Sequence, residues 1–406
     1  MDTTLAGSLR RDIRVIALIG TAHCLSHFFQ LVLPPLFPLI KAEFNVSYGV
    51  LGMLVGTFYA ASALCQLTAG FVVDRIGPRP VLLTGVGLLA GGTAAAGLAP
   101  GIYWLFPIAA IMGLGNGVFH PADFAILNAS VTPRRLGHAY STHGVGGSVG
   151  YALAPVVSYG AASILGWHGA LMVLGAGGLA ILAILATQRG ALAVRAHIGA
   201  GQRSLKGAAS LFAQTPILLC FAYFALLTMA TVGVQTFGVT ALENGYGLAL
   251  GLATSAITTY LIGQTCGILT GGFVAAHTSN HHRVAMLGML SGALLMLGVA
   301  VFQGVAAWAI PVFAVIGFSV GITGPSRDMV VKAATPPGAS GRVYGFVYSG
   351  LDLGSTIGPI WLGLLLDHGS PHAIFVATSV CMLLATGTIV QVRRRTVPAR
   401  PAHAAD

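Results

Sequence analysis

The chain is a succession of apolar runs, each long enough to cross a bilayer, joined by short polar connections. Backbone in hydrocarbon must satisfy its own hydrogen bonds, so such runs fold as transmembrane helices. At about 20 residues per crossing plus short loops, 406 residues accommodate about twelve of them. Only 7% of the residues are charged, against about a quarter in ordinary soluble domains. That balance excludes a disordered chain, a secreted disulfide scaffold and a soluble enzyme of usual make-up. The expected fold is an all-α membrane protein of twelve transmembrane helices.

The spans are predicted near 15–40, 47–73, 80–98, 102–128, 138–163, 167–187, 214–238, 248–275, 284–303, 306–332, 342–366 and 373–392. The first apolar run continues to Ile40, too long for a cleaved leader, and counts as span 1. Basic residues cluster in alternate connections. Arg10, Arg11 and Arg14 precede span 1, Arg75 and Arg79 follow span 2, and Arg134 and Arg135 follow span 4. Arg189, Arg195, Arg203 and Lys206 follow span 6, Arg283 follows span 8, Arg342 opens span 11, and Arg393, Arg394 and Arg395 follow span 12. Lys41 is the exception on the other side. The positive-inside rule then predicts both termini in the cytoplasm and a multi-pass protein of the cell inner membrane. With its basic residues at span ends, the net charge of +10 speaks for a lipid bilayer partner and against nucleic acid. The five cysteines lie in or beside apolar runs without CxxC spacing, and read as buried thiols.

The longest connection, 188–213, is basic and polar and divides the chain. The domains expected are a six-helix bundle (1–187), a cytoplasmic linker (188–213), a second bundle (214–392) and a cytoplasmic tail (393–406). The halves repeat. Residues 113–155 align with 317–359 at a constant offset of 204, and ten of the 43 pairs are identical, eight of them Gly or Pro. Six spans per repeat gives both copies one orientation, a parallel duplication with a pseudo-two-fold axis.

Between spans 2 and 3 the chain reads Gly70-Phe71-Val72-Val73-Asp74-Arg75-Ile76-Gly77-Pro78-Arg79. This resembles the cytoplasmic loop signature of the major facilitator superfamily. Gly272-Phe273-Val274-Ala275-Ala276-His277 is a degraded second copy that has lost its acid. Phe119-His120-Pro121, Ser26-His27-Phe28 and Gly146-x-x-x-Gly150 further resemble the fosmidomycin-resistance group of exporters. Two features depart from drug antiporters: span 4 carries Asp123 and no Arg, and the antiporter signature within span 5 ends Ala154-Pro155 where Gly-Pro is usual. The superfamily resemblance implies two bundles rocking about one midplane site, lined chiefly by spans 1, 4, 7 and 10. It implies a monomer, and a conformational latch at Gly70, Asp74, Arg75, Gly77 and Arg79 that stabilises the outward-open state.

Ionisable residues within spans are expensive and mark functional candidates. Span 1 carries His23, His27 and Gln30 on one helical face, roughly 14–24 Å into the bilayer counted from Arg14. They suit a proton relay or a substrate contact; neutral histidines bonded to neighbouring helices are the alternative. His-x-x-x-His also offers two corners of a metal site, which needs a third ligand. Span 4 carries Asn116, His120 and Asp123 as a second stripe. Asp123 is the first choice for a proton carrier, with a static ion pair as the alternative. Arg327 stands at its repeat position and Asp328 follows it. Neighbours on a helix do not face each other, so the two are expected to find separate partners. Arg327 suits a substrate carboxylate or phosphonate, or else a buried pair with Asp352. Tyr348 and Asp352 share a polar face of span 11, and His143, Gln235 and Gln264 are further cavity candidates.

The function expected is secondary active transport by alternating access: proton-coupled efflux of a small polar or amphiphilic molecule, with protons as the coupling partner. The alternative is proton-coupled uptake of a small organic anion or a metal chelate. No nucleotide-binding motif, cofactor motif or paired catalytic motif is present, so neither ATP hydrolysis nor an enzyme is expected.

Overall fold

Proline and glycine mark several of the breaks between apolar runs. The structure, a computed structural model, describes residues 2–192, 208–336, 340–369 and 371–396. The linker residues Arg195, Arg203 and Lys206 and the tail beyond 396 lie outside them. α1 (Asp2–Gln30) stops short of Pro34 and Pro35, and a 3-10 turn (Pro34–Leu36) leads into a short helix, Phe37–Phe44. Proline lacks the amide that would continue the helix, so the first span, Ser8–Phe44, is broken near Pro34. α2 (Tyr48–Ile76) and α3 (Pro78–Ala96) meet at Gly77, whose φ of 88° suits glycine. α4 (Ile102–Ser130) follows.

The next helix, Leu136–Thr187, has 52 residues. At 1.5 Å per residue it would measure about 78 Å, far beyond the roughly 30 Å hydrocarbon core. It breaks at Gly166 (φ 68°, ψ 168°) into α5 (136–165) and α6 (167–187). α7 (Thr215–Tyr246), α8 (Leu250–His277), α9 (His281–Val301), α10 (Ala309–Ala334), α11 (Ser340–His368) and α12 (His372–Thr396) complete twelve crossings. α1 begins and α12 ends on one side of the molecule, the terminal face; the opposite side is the far face.

The repeat read from the sequence is a repeat of helix crossings. A Cβ on Gly113 of α4 would meet the Phe58 carbonyl oxygen of α2 at 2.2 Å, and one on Gly317 of α10 would meet that of Tyr260 on α8 at 1.9 Å. Gly150 of α5 lies against the Cys24 carbonyl of α1 as Gly354 of α11 lies against that of Ala225 on α7, at 2.1 and 2.3 Å. The helices cross backbone to backbone there, as small residues permit in membranes. α4 and α10 also break at matched places, after Asn116 and after Gly321.

The bundles touch along α2–α11 and α5–α8. One apolar core joins the first bundle to the far half of the second, through residues such as Phe37, Leu54, Phe237, Ile257 and Leu362. The terminal half of the second bundle has a separate core, including Tyr223, Phe224, Met289, Val330 and Val347. The molecule is therefore closed across the far face and divided toward the terminal face.

Candidate functional site

That division holds a cavity of about 880 Å³. α5 supplies Tyr140, Ser141 and Ser148 to its wall, α7 supplies Leu227, Thr228 and Thr231, and α8 contributes from Gln264 to Ala276. α10 supplies Thr323, Arg327 and Asp328. Among the described residues, Arg327 and Asp328 are the only charged groups in the lining. The size is that of a small-molecule site.

Arg327 and Asp328 pair with each other, with Arg327 Nε donating to Asp328 Oδ1 at 3.0 Å. The expectation of separate partners fails because the arginine stem is long enough to bring Nε to the neighbouring carboxylate. The Arg327 guanidinium also lies over the Phe224 ring of α7, 4.5 Å from its centroid. Tyr348 of α11 donates its hydroxyl to the same Asp328 Oδ1 at 3.1 Å. Asp352 does not join them. It is half-buried, and its carboxylate has no hydrogen bond or ion pair with any described residue.

A second polar centre lies inside the first bundle. Asp123 is fully buried, and its Oδ2 is hydrogen-bonded to His143 Nε2 at 3.0 Å. His23 Nδ1 of α1 is 3.3 Å from the same oxygen, without hydrogen-bond geometry. The His23 and His143 rings stack with centroids 3.5 Å apart, and His120 lies 5.2 Å from His23 and reaches the surface. From His23 the ring contacts continue to His27 at 4.5 Å and on to Tyr151 at 4.3 Å. Tyr151 donates to Gln30 Oε1 at 2.6 Å, Gln30 Nε2 to Asn116 Oδ1 at 2.9 Å, and Asn116 Nδ2 to Ser62 Oγ at 2.8 Å. Polar contacts thus run from Asp123 through α5, α1 and α4 to α2.

His23, His120 and His143 each offer a ring nitrogen within 4.8 Å of the others. A tetrahedral ion held at 2.0–2.1 Å needs donors about 3.3 Å apart. Two of these rings instead present a nitrogen to Asp123 Oδ2, so the set is built around the carboxylate.

Among the remaining candidates, Gln264 lines the cavity and Gln235 is buried outside its lining. Gln30, Asn116, His120 and His143 also lie outside the lining, within the first bundle. Asp74 and Arg75 are exposed on the terminal face and make no hydrogen bond or ion pair with a described residue. Arg79 Nη2 donates to the Ala186 carbonyl at 2.8 Å, and a Cβ on Gly70 would meet nothing within 4 Å.

Sequence reading passed over Phe224, Tyr151 and the far-face contacts. Tyr151 stands eight residues beyond His143, on its helical face, and was legible by spacing. Phe224 was not, because an aromatic residue in an apolar run carries no signal of its own. On the far face the Asp367 carboxylate of α11 accepts the backbone N–H groups of Tyr48 and Gly49, each at 2.7 Å. Asn244 of α7 donates to the Tyr48 hydroxyl at 2.7 Å, and Lys41 lies 4.6 Å over the Tyr48 ring.

Known proteins share this architecture. A family model described as Major Facilitator Superfamily matches residues 19–326 and, overlapping, 239–406. The MFS-type transporter YfnC of Bacillus subtilis (strain 168) is 28% identical over 375 residues, covering 89% of each chain. The Fosmidomycin resistance protein of Escherichia coli (strain K12) is 25% identical over 398 residues, 94% of this chain and 93% of its own. A bacterial homologue of the human lysosomal transporter Spinster, solved inward-facing and unoccupied, superposes with a TM-score of 0.81. It is 16% identical and covers 97% of this chain and 99% of its own, which speaks for the fold alone. With two repeat-related six-helix bundles around one cavity and the family model matched along its length, this chain belongs to the Major Facilitator Superfamily and is a membrane transporter of small molecules.

Proposed function

We propose that the protein is a proton-coupled exporter of a small amphiphilic molecule, working as a monomer by alternating access in the cell inner membrane. The observation that carries the reading is Asp123. Its carboxylate is buried with two imidazoles at its Oδ2 and, among the described residues, no Lys or Arg paired with it. A buried acid held only by titratable partners can take up and release a proton without stranding a fixed opposite charge. His23, His27 and His120 extend the proton-carrying group, and Tyr151, Gln30 and Asn116 continue the polar path. The basic clusters at the terminal face argue that this face is cytoplasmic. The conformation is then inward-open, and the cavity receives its cargo from the cytoplasm. Export is supported by the relative named for fosmidomycin resistance.

Within this reading the exposed Asp74 and Arg75 belong to a latch that engages when the cytoplasmic side closes. Arg327, Asp328, Gln264 and the cavity hydroxyls contact the substrate, with Tyr348 holding Asp328 in place.

The test is substrate-driven proton movement in proteoliposomes. A panel of amphiphilic compounds is applied under an imposed pH gradient, with Asp123→Asn as the control. Substrate-dependent proton flux in the native protein, absent in the variant, is the expected result. Transport of a substrate with no proton movement overturns the coupling.

A further inference from the structure

The two bundles put different chemistry at matched positions. The glycine contacts set the registers: Gly113 and Gly317 make matched crossings, so α4 and α10 are offset by 204, and Gly150 meets Cys24 as Gly354 meets Ala225, so α1 and α7 are offset by 201. At these offsets Asp123 corresponds to Arg327 and His23 to Phe224. The first bundle therefore has an acid against an imidazole, outside the cavity lining. The second has a guanidinium of that lining against a phenyl ring.

The Arg327 side chain is only partly committed. Nε is used by Asp328 and one flat face by Phe224, while Nη1 and Nη2 make no hydrogen bond to a described residue. Asp328 spends Oδ1 on Arg327 and Tyr348, and its Oδ2 makes no hydrogen bond to a described residue. An arginine kept only for architecture would spend its terminal nitrogens on protein acceptors, because unpaired donors in a membrane protein are costly. Arg327 lines the cavity, whose remaining wall includes Leu227, Ile268, Leu269 and Phe273, and it also borders a small second pocket with Tyr223, Val330 and Val331.

We infer that Arg327 is the head-group site for a small organic acid: one oxyanion group, a carboxylate, sulfonate or phosphonate, on an apolar body. Two parallel N–H donors match two oxyanion oxygens, and the Phe224 face holds the guanidinium plane steady for that fork. Asp328 neutralises the arginine before cargo arrives and repels a second negative charge, so a monoanion fits better than a dianion. The inference rests on the reading of this cavity as the transport site.

The test is equilibrium binding to the purified full-length protein in detergent, which needs no gradient. Matched pairs are titrated by calorimetry: phenylacetate with phenylacetamide, 4-phenylbutyrate with its amide, and octanoate with octanamide. For at least one pair the acid is expected to bind at least tenfold more tightly than the amide. Arg327→Lys keeps the charge without the fork and is expected to lose most of that preference. Arg327→Gln paired with Asp328→Asn removes both charges without stranding either, and is expected to abolish it in protein that still elutes as a single species. The inference is overturned if no acid outbinds its amide, or if the double variant keeps the preference. Acid binding without proton flux upholds the head-group site and rejects proton coupling; proton flux driven only by neutral or cationic compounds does the reverse.

Discussion

Arg327 lies over the Phe224 ring at 4.5 Å, where the first bundle sets Asp123 against His23. One duplicated scaffold thus carries a carboxyl group in one copy and a guanidinium, paired with Asp328, in the other. The carboxyl group is buried among imidazole rings, and the guanidinium pair lines the cavity. On the proposed function, with the proton at Asp123 and the cargo at Arg327, coupling ion and cargo would occupy different bundles and communicate by the rocking of those bundles rather than by direct contact.

Replacing Asp123 by Asn keeps the side-chain volume and removes the exchangeable proton. Gradient-driven transport is expected to fall more than tenfold, while exchange of labelled for unlabelled substrate at equal pH persists. Proteoliposomes assayed with and without a pH gradient check both halves. Equal losses in the two assays would give Asp123 a structural role instead.

The glycines of the repeat are predicted to be intolerant in pairs. A Cβ at Gly150 would come within 2.1 Å of the Cys24 carbonyl oxygen, and one at Gly354 within 2.3 Å of that of Ala225. Backbone atoms have no rotamer to yield, so Gly150→Val and Gly354→Val are each expected to cost about 3 kcal/mol, the upper end of overpacking penalties. Gly160→Ala meets nothing within 4 Å and is expected to be neutral or to gain about 0.5–1 kcal/mol of helix propensity. Thermal unfolding in detergent ranks the three.

Hydropathy and the Gly and Pro pattern made the twelve crossings and the duplication legible, because both are written in residues whose physics is local. Breaks that depend on one backbone torsion, such as Gly166, were placed only as a boundary between spans. Asp123, His143 and His23 were each singled out by being ionisable in apolar runs, but their meeting at one oxygen depends on the α1–α4–α5 crossing. The Arg327–Asp328 pair was misjudged for a different reason. Helical periodicity describes where Cβ atoms point, and an arginine Nε lies three bonds further out. Asp367 was an acid at a span end with no sequence cue to α2, since its partners are backbone amides of the other bundle.

Those amides make Asp367 an N-terminal cap supplied across the bundle interface. A carboxylate at a helix start satisfies otherwise unpaired donors and interacts favourably with the helix dipole. Asp367→Ala removes this only from the state closed at the far face. About 1–2 kcal/mol is at stake, a shift of roughly five- to thirtyfold between states. In a background lacking the five native cysteines, maleimide labelling of Thr240→Cys, buried in the far half of α7, is expected to speed up accordingly. An unchanged labelling rate would show that α2–α11 packing alone holds that face.

On the latch reading, the loop signature at the opposite end supplies the counterweight. Asp74 and Arg75 make no hydrogen bond or ion pair with a described residue in this state, so Asp74→Asn is expected to leave its stability alone while weakening the state in which the terminal face closes. Population then moves toward the present conformation, and Thr240→Cys labels more slowly than in the parent. Asp74→Asn and Asp367→Ala act on opposite faces without shared partners, so their free energies should add to within about 0.5 kcal/mol. The double variant is therefore expected to label at a rate between those of the single variants, near the parent. A double variant labelling as fast as Asp367→Ala alone would mean that Asp74 contributes nothing to closure. Labelling slower than in Asp74→Asn alone would reverse the role assigned to Asp367.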